Sequence, residues 1–180
     1  MIKGVLIAMA ITIGAASAAN AQINTSTSDK LVLETTKGKV VIALRPDLAP
    51  KHVAQIETLA KKGFYDGVIF HRVIADFMAQ TGDPTGTGTG GSDLPDIKAE
   101  FSNTPYVRGT VGMARTSSPN SANSQFFITF GDADFLNGQY TVFGQVVEGM
   151  DIVDKINKGE PPANPDKIVH ATIEAAAAAK

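Results

Sequence analysis

Cysteine is absent from the 180 residues. That removes thiol nucleophiles, zinc–thiolate sites and disulfides together, and leaves a chain that tolerates an oxidising compartment. The formal net charge is -2, with no basic run or stripe, so nothing is built to displace phosphate counterions and nucleic acid is not expected as a partner. The histidines, at 52, 71 and 170, form no HExxH-type array with one another or with a carboxylate. Each therefore reads as structural and no metal site is expected. No G-x-S-x-G elbow is present, and Ser117, Ser118, Ser121 and Ser124 have the look of loop residues. The carboxylates are scattered through turns, a pattern of solvated surface rather than of paired acid and base. Gly86, Gly88 and Gly91 have the spacing of a dinucleotide fingerprint, but Ser92-Asp93-Leu94-Pro95 continues a loop where a helix is required, and no lysine follows to make a phosphate loop. No cofactor is expected.

What is present is ordinary globular material, 43% hydrophobic and 19% charged, enough for one domain that buries roughly 70% of its unfolded surface. At the N-terminus, Lys3 precedes an apolar run from Val5 to Ala16, and Ala19-Asn20-Ala21 is a small-x-small processing site. Residues 1–21 read as a secretory signal cleaved after Ala21, because the run is short for a membrane span of about 20 residues and no basic stop follows it. A periplasmic location, with no membrane association after cleavage, follows as an expectation. Residues 22–29 are a polar spacer. The domain occupies 30–174 without internal repeat or boundary, and the alanine-rich tail 175–180 is expected to fray.

Within the domain, alternation in Leu31–Thr35, a turn ending at Gly38 and the β-branched run to Leu44 predict a hairpin. Pro50 stands at a first helical position, Val53, Ile56, Leu59 and Ala60 recur at helical spacing, and Gly63 stops the run, so a helix is predicted over 50–62. Further strands are expected over 68–74, 109–114, 124–130, 140–147 and around 169–173, with a short helix over 150–156 ended by Gly159 and Pro161. The Gly/Thr/Pro-rich stretch TGDPTGTGTGGSDLPD is a long surface loop. Many short strands with two helices indicate a mainly β fold, a closed or nearly closed antiparallel sheet with helical caps.

The stretch FHRVIADFMAQTGD, 70–83, carries a single arginine, Arg72, among large apolar side chains. In an extended segment Phe70, Arg72 and Ile74 share one face. A guanidinium that cannot lose its proton must either be paired there, with Asp83 or Glu100 as candidates, or edge an open apolar pocket. With Gln80 and Gln125 as neutral hydrogen-bonding groups, an aromatic surface around one arginine suits a peptide.

These residues, followed by TGG, GMAR, NSQFFI and FLNGQYTVFGQVVEGMDIV, resemble the cyclophilin family of peptidyl-prolyl cis/trans isomerases in order and spacing over about 30–174. The resemblance implies a closed eight-stranded antiparallel β-barrel capped by two α-helices, with a proline groove on its outer face and no cofactor. It implies that Arg72 is catalytic and that Phe77, Met78, Phe127 and Leu136 form the proline pocket, although Phe127 and Leu136 could equally be barrel core. Gln80 and Gln125 would lie beside the peptide, the chain at Arg115 and Thr116 would bind it through main-chain bonds, and Phe135 and Tyr140 would border it. The expected partners are proline-containing peptides and unfolded clients, engaged by a monomer that assists folding. A non-catalytic peptide-binding chaperone is the other reading on this fold. The sequence departs from the family at four places. Ala75-Asp76 replaces a frequent Pro-Gly, and the 115–123 loop is one residue longer than in the best-known eukaryotic members. Phe135 stands where tryptophan is frequent and Tyr140 where histidine is. The family is the receptor of cyclosporin, and losing the indole N–H at position 135 predicts weak binding of that drug.

Overall fold

A computed structural model describes residues 28–177. The predicted signal sequence and cleavage site, most of the predicted spacer and the last three tail residues lie outside the described residues. The chain runs β1 (Lys30–Thr35), β2 (Gly38–Leu44), α1 (Pro50–Lys61), β3 (Arg72–Ile74), β4 (Met78–Thr81), β5 (Thr110–Met113), β6 (Phe126–Thr129), β7 (Val142–Glu148), α2 (Met150–Asp154) and β8 (Ile168–Glu174). A 3₁₀ turn over Asp134–Leu136 precedes β7. All neighbouring strands are antiparallel, in the order β3-β4-β6-β5-β7-β2-β1-β8.

The β1–β2 hairpin turns where predicted. Thr35 and Gly38 are paired across it, Gly38 takes φ 136°, and the Thr35 hydroxyl donates to the Gly38 carbonyl at 2.7 Å while accepting the Lys37 N–H at 3.1 Å. Helix α1 begins at Pro50, and Ala49 at its cap has no side-chain acceptor to offer. The cap comes from far along the chain. Glu100 accepts the N–H groups of Lys51 and His52, each at 3.1 Å, and holds His52 Nδ1 at 2.6 Å. A carboxylate at this end also meets the positive pole of the helix. Glu100 is thus spent on α1 and does not reach Arg72.

Alternation along the strands separates two apolar clusters. Ala79, Phe126, Ile128, Val111 and Phe143 join Leu31, Leu33, Ile42 and the α1 stripe of Val53, Ile56, Leu59 and Ala60 in the main core. Met78, Phe127 and Val142, each one residue along, form a second cluster with Tyr106, Ala133 and Leu136. A strand puts successive side chains on opposite faces, so this second cluster lies on the outside of the sheet.

The expected closed barrel is not formed. The sheet curls, with register shifts at Glu34/Thr35, Val41/Ile42 and Val111/Gly112 that add local twist, but β3 and β8 remain its two edges. The gap is crossed by isolated bridges at Ile69–Lys167 and Val73–Gly159 and by Gly67 N–H to Ile168 O and Phe70 N–H to Asp166 O, at 2.7 and 2.9 Å. The segment before β8 contains Pro161, Pro162 and Pro165, and proline has no N–H to give a ladder. The predicted strand over 68–74 is therefore shorter, and Phe70 does not share a face with Arg72: it is buried with Val73 in the main core. Helix α2 ends two residues earlier than predicted. The beginning of the tail is tied down, with Ala176 N–H on Asp29 Oδ1 at 2.8 Å.

Candidate active site

The site is laid out by register. Arg72 pairs with Gln80, Gln80 with Phe127, and Phe127 with Gly112, so one row across β3, β4, β6 and β5 carries these residues on the outer face. The β3–β4 turn is tight, and Asp76 adopts φ 61° there. Aspartate is one of the few non-glycine residues that visit this region readily, so Ala75-Asp76 makes the turn that Pro-Gly makes elsewhere. Gly112 leaves room at the centre of the row. A Cβ there would stand 2.8 Å from Phe127 Cζ, and its absence lets the Phe127 and Tyr106 rings stack with centroids 5.7 Å apart.

Above this row is an open groove of about 440 Å³, lined by Arg72, Phe77, Met78, Gln80, Arg115, Phe127, Leu136 and Tyr140, together with His71, the backbone at Gly86–Gly88, Ala114, Glu160 and Pro161. Met78, Phe127 and Leu136 are 1%, 5% and 5% exposed. They are at once floor of the groove and members of the outer cluster, so pocket and core are the same residues here. Phe135 stands at the rim, 65% exposed, with its ring 5.3 Å from that of Phe77. Tyr140 meets Phe127 edge-on at 5.9 Å.

Thr116 and Gln125 lie one step away, in an adjoining recess of about 530 Å³ that shares Gln80, Gly88, Ala114 and Arg115 with the groove. Arg115 forms the partition. Its guanidinium lies 4.5 Å over the Tyr140 ring and donates to Gln139 O at 2.9 Å and to Thr116 O at 2.9 Å, bracing two walls together. The Thr116 N–H is taken by Ser121 Oγ at 2.9 Å. Gln80 Nε2 donates to Gln125 Oε1 at 2.9 Å, and Gln125 Nε2 donates in turn to the carbonyls of Gly90 at 2.8 Å and Gly88 at 3.1 Å.

The glycine-rich wall is organised by Asp83, which is fully buried. It accepts Thr85 N–H and Oγ–H at 2.8 and 2.7 Å, Gly88 N–H at 2.6 Å and Gly90 N–H at 3.1 Å. Burial pushes its pKa up, but the Thr85 hydroxyl and the three backbone donors outweigh it and hold the carboxyl at about 2. His71, beside the arginine, is lowered by burial, against which Asp83 pulls, so it is neutral at pH 7. Neither Asp83 nor Glu100 pairs with Arg72. The partner is Glu160, whose Oε1 accepts Arg72 Nε–H at 2.7 Å, with the side chains 45% and 54% exposed. Sequence reading passed over Glu160, which stands between Gly159 and Pro161 and looks like the end of a helix, and over Asp83 as a loop organiser.

The family model for the cyclophilin type peptidyl-prolyl cis-trans isomerases matches residues 30–173. The chain belongs to the cyclophilin family. As a cyclophilin it is an isomerase of X-Pro peptide bonds. It is 56% identical to a probable peptidyl-prolyl cis-trans isomerase of Brucella suis biovar 1, covering 93% of this chain and 92% of that one. It is 41% identical to the Schizosaccharomyces pombe isomerase ppi1, over 77% of this cyclophilin and 95% of that protein. Among solved structures, a cyclophilin from Hirschia baltica superposes with a TM-score of 0.75 at 32% identity, covering 83% of this chain and 74% of that one. A Cryptosporidium parvum cyclophilin type isomerase solved in the presence of the dipeptide Ala-Pro superposes with a TM-score of 0.76 at 31% identity, covering 81% and 99%. Cyclophilins bind proline-containing peptides, and the outer-face groove of this one has an apolar floor with Arg72 at one edge and Arg115 at another.

Proposed function

We propose that this cyclophilin isomerises X-Pro bonds in folding chains after export, with Arg72 as its catalytic residue. The observation that carries the site assignment is the single row Arg72–Gln80–Phe127, which sets a guanidinium beside an apolar pocket. A peptide bond resists rotation by about 18–20 kcal/mol because the nitrogen lone pair is delocalised. As the bond twists, that lone pair localises on the proline nitrogen and becomes an acceptor, which the planar amide is not. A donor already fixed beside it binds the twisted form better than either planar one. The floor of Met78, Phe127 and Leu136, with Phe77 beside it, holds the proline ring while the preceding carbonyl swings. Gln80, Gln125 and the 115–116 backbone flank the peptide. No covalent step is needed.

Arg72→Ala tests the role. A preorganised donor of this kind is worth on the order of 3 kcal/mol, about a hundredfold in kcat/KM, read in an NMR exchange or protease-coupled assay on a short X-Pro peptide. The circular dichroism spectrum should not change, since the side chain is half-exposed. Full activity, or an unfolded variant, would overturn the assignment. Export rests on the processing pattern before Gln22. Intact mass of the periplasmic fraction should give a soluble monomer beginning at Gln22, and a membrane-bound species retaining Met1 would defeat it.

A further inference from the structure

Arg72 lies on an edge strand, with Gln80 directly opposite on β4, yet it takes no bond from that neighbour, because Gln80 is turned to Gln125. Its bond comes from the other side. Val73 and Gly159 exchange both backbone hydrogen bonds, Val73 N–H to Gly159 O at 2.8 Å and Gly159 N–H to Val73 O at 2.9 Å. In an antiparallel bridge the residues one step out face each other, which sets Glu160 against Arg72 by backbone geometry rather than by the reach of two long side chains. The bridge tolerates only glycine at 159, where φ is +147° and an added Cβ would stand 2.5 Å from Pro162 Cα. The loop behind it is anchored as well. Asp166, 5% exposed, accepts Asn157 N–H at 2.8 Å and the Thr36 hydroxyl at 2.7 Å, and Lys158 Nζ donates to the carbonyls of Asp154 and Ile156 at 2.6 and 2.9 Å.

On the reading that Arg72 is catalytic, we infer that Glu160 is its positioning residue: it accepts the Nε–H and so aims the Nη end of the guanidinium at the groove. The guanidinium is a planar fork, so a carboxylate on Nε at 2.7 Å restricts the plane and leaves both Nη groups, which have no side-chain or backbone acceptor among the described residues, for the peptide. The bond is charge-assisted and short. Being half-exposed, it contributes little to stability, so its consequence lies in orientation.

The test combines spectroscopy with kinetics on the full chain. In ¹⁵N-labelled protein the Arg72 Nε–Hε resonance should be sharp and slow to exchange with solvent, and should broaden in Glu160→Ala. In that variant kcat for a short X-Pro peptide should fall about five- to tenfold, KM should stay within about twofold, and the melting temperature should hold. Glu160→Gln, which keeps an acceptor oxygen, should recover most of kcat. Adding Glu160→Ala to Arg72→Ala should cost nothing further. If Arg72→Ala is inactive while Glu160→Ala has unchanged or raised kcat, the inference fails and the role of Arg72 stands. If Arg72→Ala is fully active, the reading beneath it fails.

Discussion

Replacing Asp83 by asparagine keeps the shape of the side chain and removes one kind of chemistry. The carboxylate accepts from four donors, two on each oxygen: Thr85 N–H and Oγ–H on Oδ1, and Gly88 and Gly90 N–H on Oδ2. An amide must set its NH₂ against one of those pairs. The Thr85 hydroxyl can rotate to accept, but its backbone N–H cannot, so at least one buried donor is orphaned. Holding the carboxyl at about 2 against an ordinary 3.8 corresponds to roughly 2 kcal/mol of stability, and the orphaned donor adds about 1. Asp83→Asn should therefore lose about 3 kcal/mol in urea unfolding at pH 7. The sign with pH follows from the lowered folded value. The contribution is complete above the unfolded value near 4 and disappears as pH falls through about 2. The gap between wild type and variant should thus be full at pH 7 and clearly narrower at pH 2, where the other carboxylates affect both proteins alike. Because Gly88 and Gly90 carbonyls hold Gln125, and Gln125 holds Gln80, KM for peptide should also rise several-fold. A gap that does not change with pH would refute the reasoning, since it would show that the ionised form is not what the loop is built around.

Gly112→Ala should push the Phe127 ring off its place, because the new methyl would overlap Phe127 and Tyr106; about 1–3 kcal/mol of overpacking and a raised KM are expected, and normal kinetics with normal melting would contradict the placement. Glu100→Gln should cost about 1–2 kcal/mol by weakening the α1 cap. Burial raises the Glu100 carboxyl, but its bonds to His52 and Lys51 win and lower it, so its contribution is present above the unfolded value and is lost as pH falls through the folded one. His52, lowered mainly by burial and raised in part by Glu100, loses that support in the variant, so in denaturation curves the variant should lose more stability than wild type as pH falls below the ordinary histidine value. The gap should narrow only below the ordinary Glu100 value of 4.5, where the wild-type carboxyl protonates. Phe135→Trp should tighten cyclosporin inhibition about tenfold to a hundredfold, the worth of one hydrogen bond and some apolar area, with little change in turnover. Equal inhibition constants for the two forms would show that the exposed ring at 135 does not meet the drug.

Where the determinants were local, the sequence was readable. Gly38 after an alternating strand made a hairpin, and Pro50 before a spaced apolar stripe made α1, as the residue types require. The groove residues could be named because their order resembled a family. Periodicity alone could not have said that Phe127 and Leu136 are pocket or core, and they are both, since the strand alternates between two buried clusters. What was not legible depends on contacts distant in sequence. The four residues of β4 continue the apolar stretch of β3, and only the positive φ at Asp76 divides them. Alternation puts Phe70 on the wrong face because the backbone before Arg72 is not yet a strand. Glu160 and Glu100 act on segments 88 and 48 residues away, and nothing in either local pattern announces a partner. The open sheet follows from prolines whose missing donors matter only once the edges meet.

That seam has a consequence for the company the protein keeps. An eight-stranded sheet with two edges is a template for foreign strands, and an enzyme whose substrates are extended peptides meets candidates constantly. Here one edge is three residues long and already bonded at its centre to Gly159, while the approach to the other is lined with prolines that give an incoming chain nothing to accept. These features disfavour strand addition at the seam, so binding through the face of the groove is the favoured mode. Such binding is reversible and read by side chains, and it leaves the enzyme free to release what it has turned.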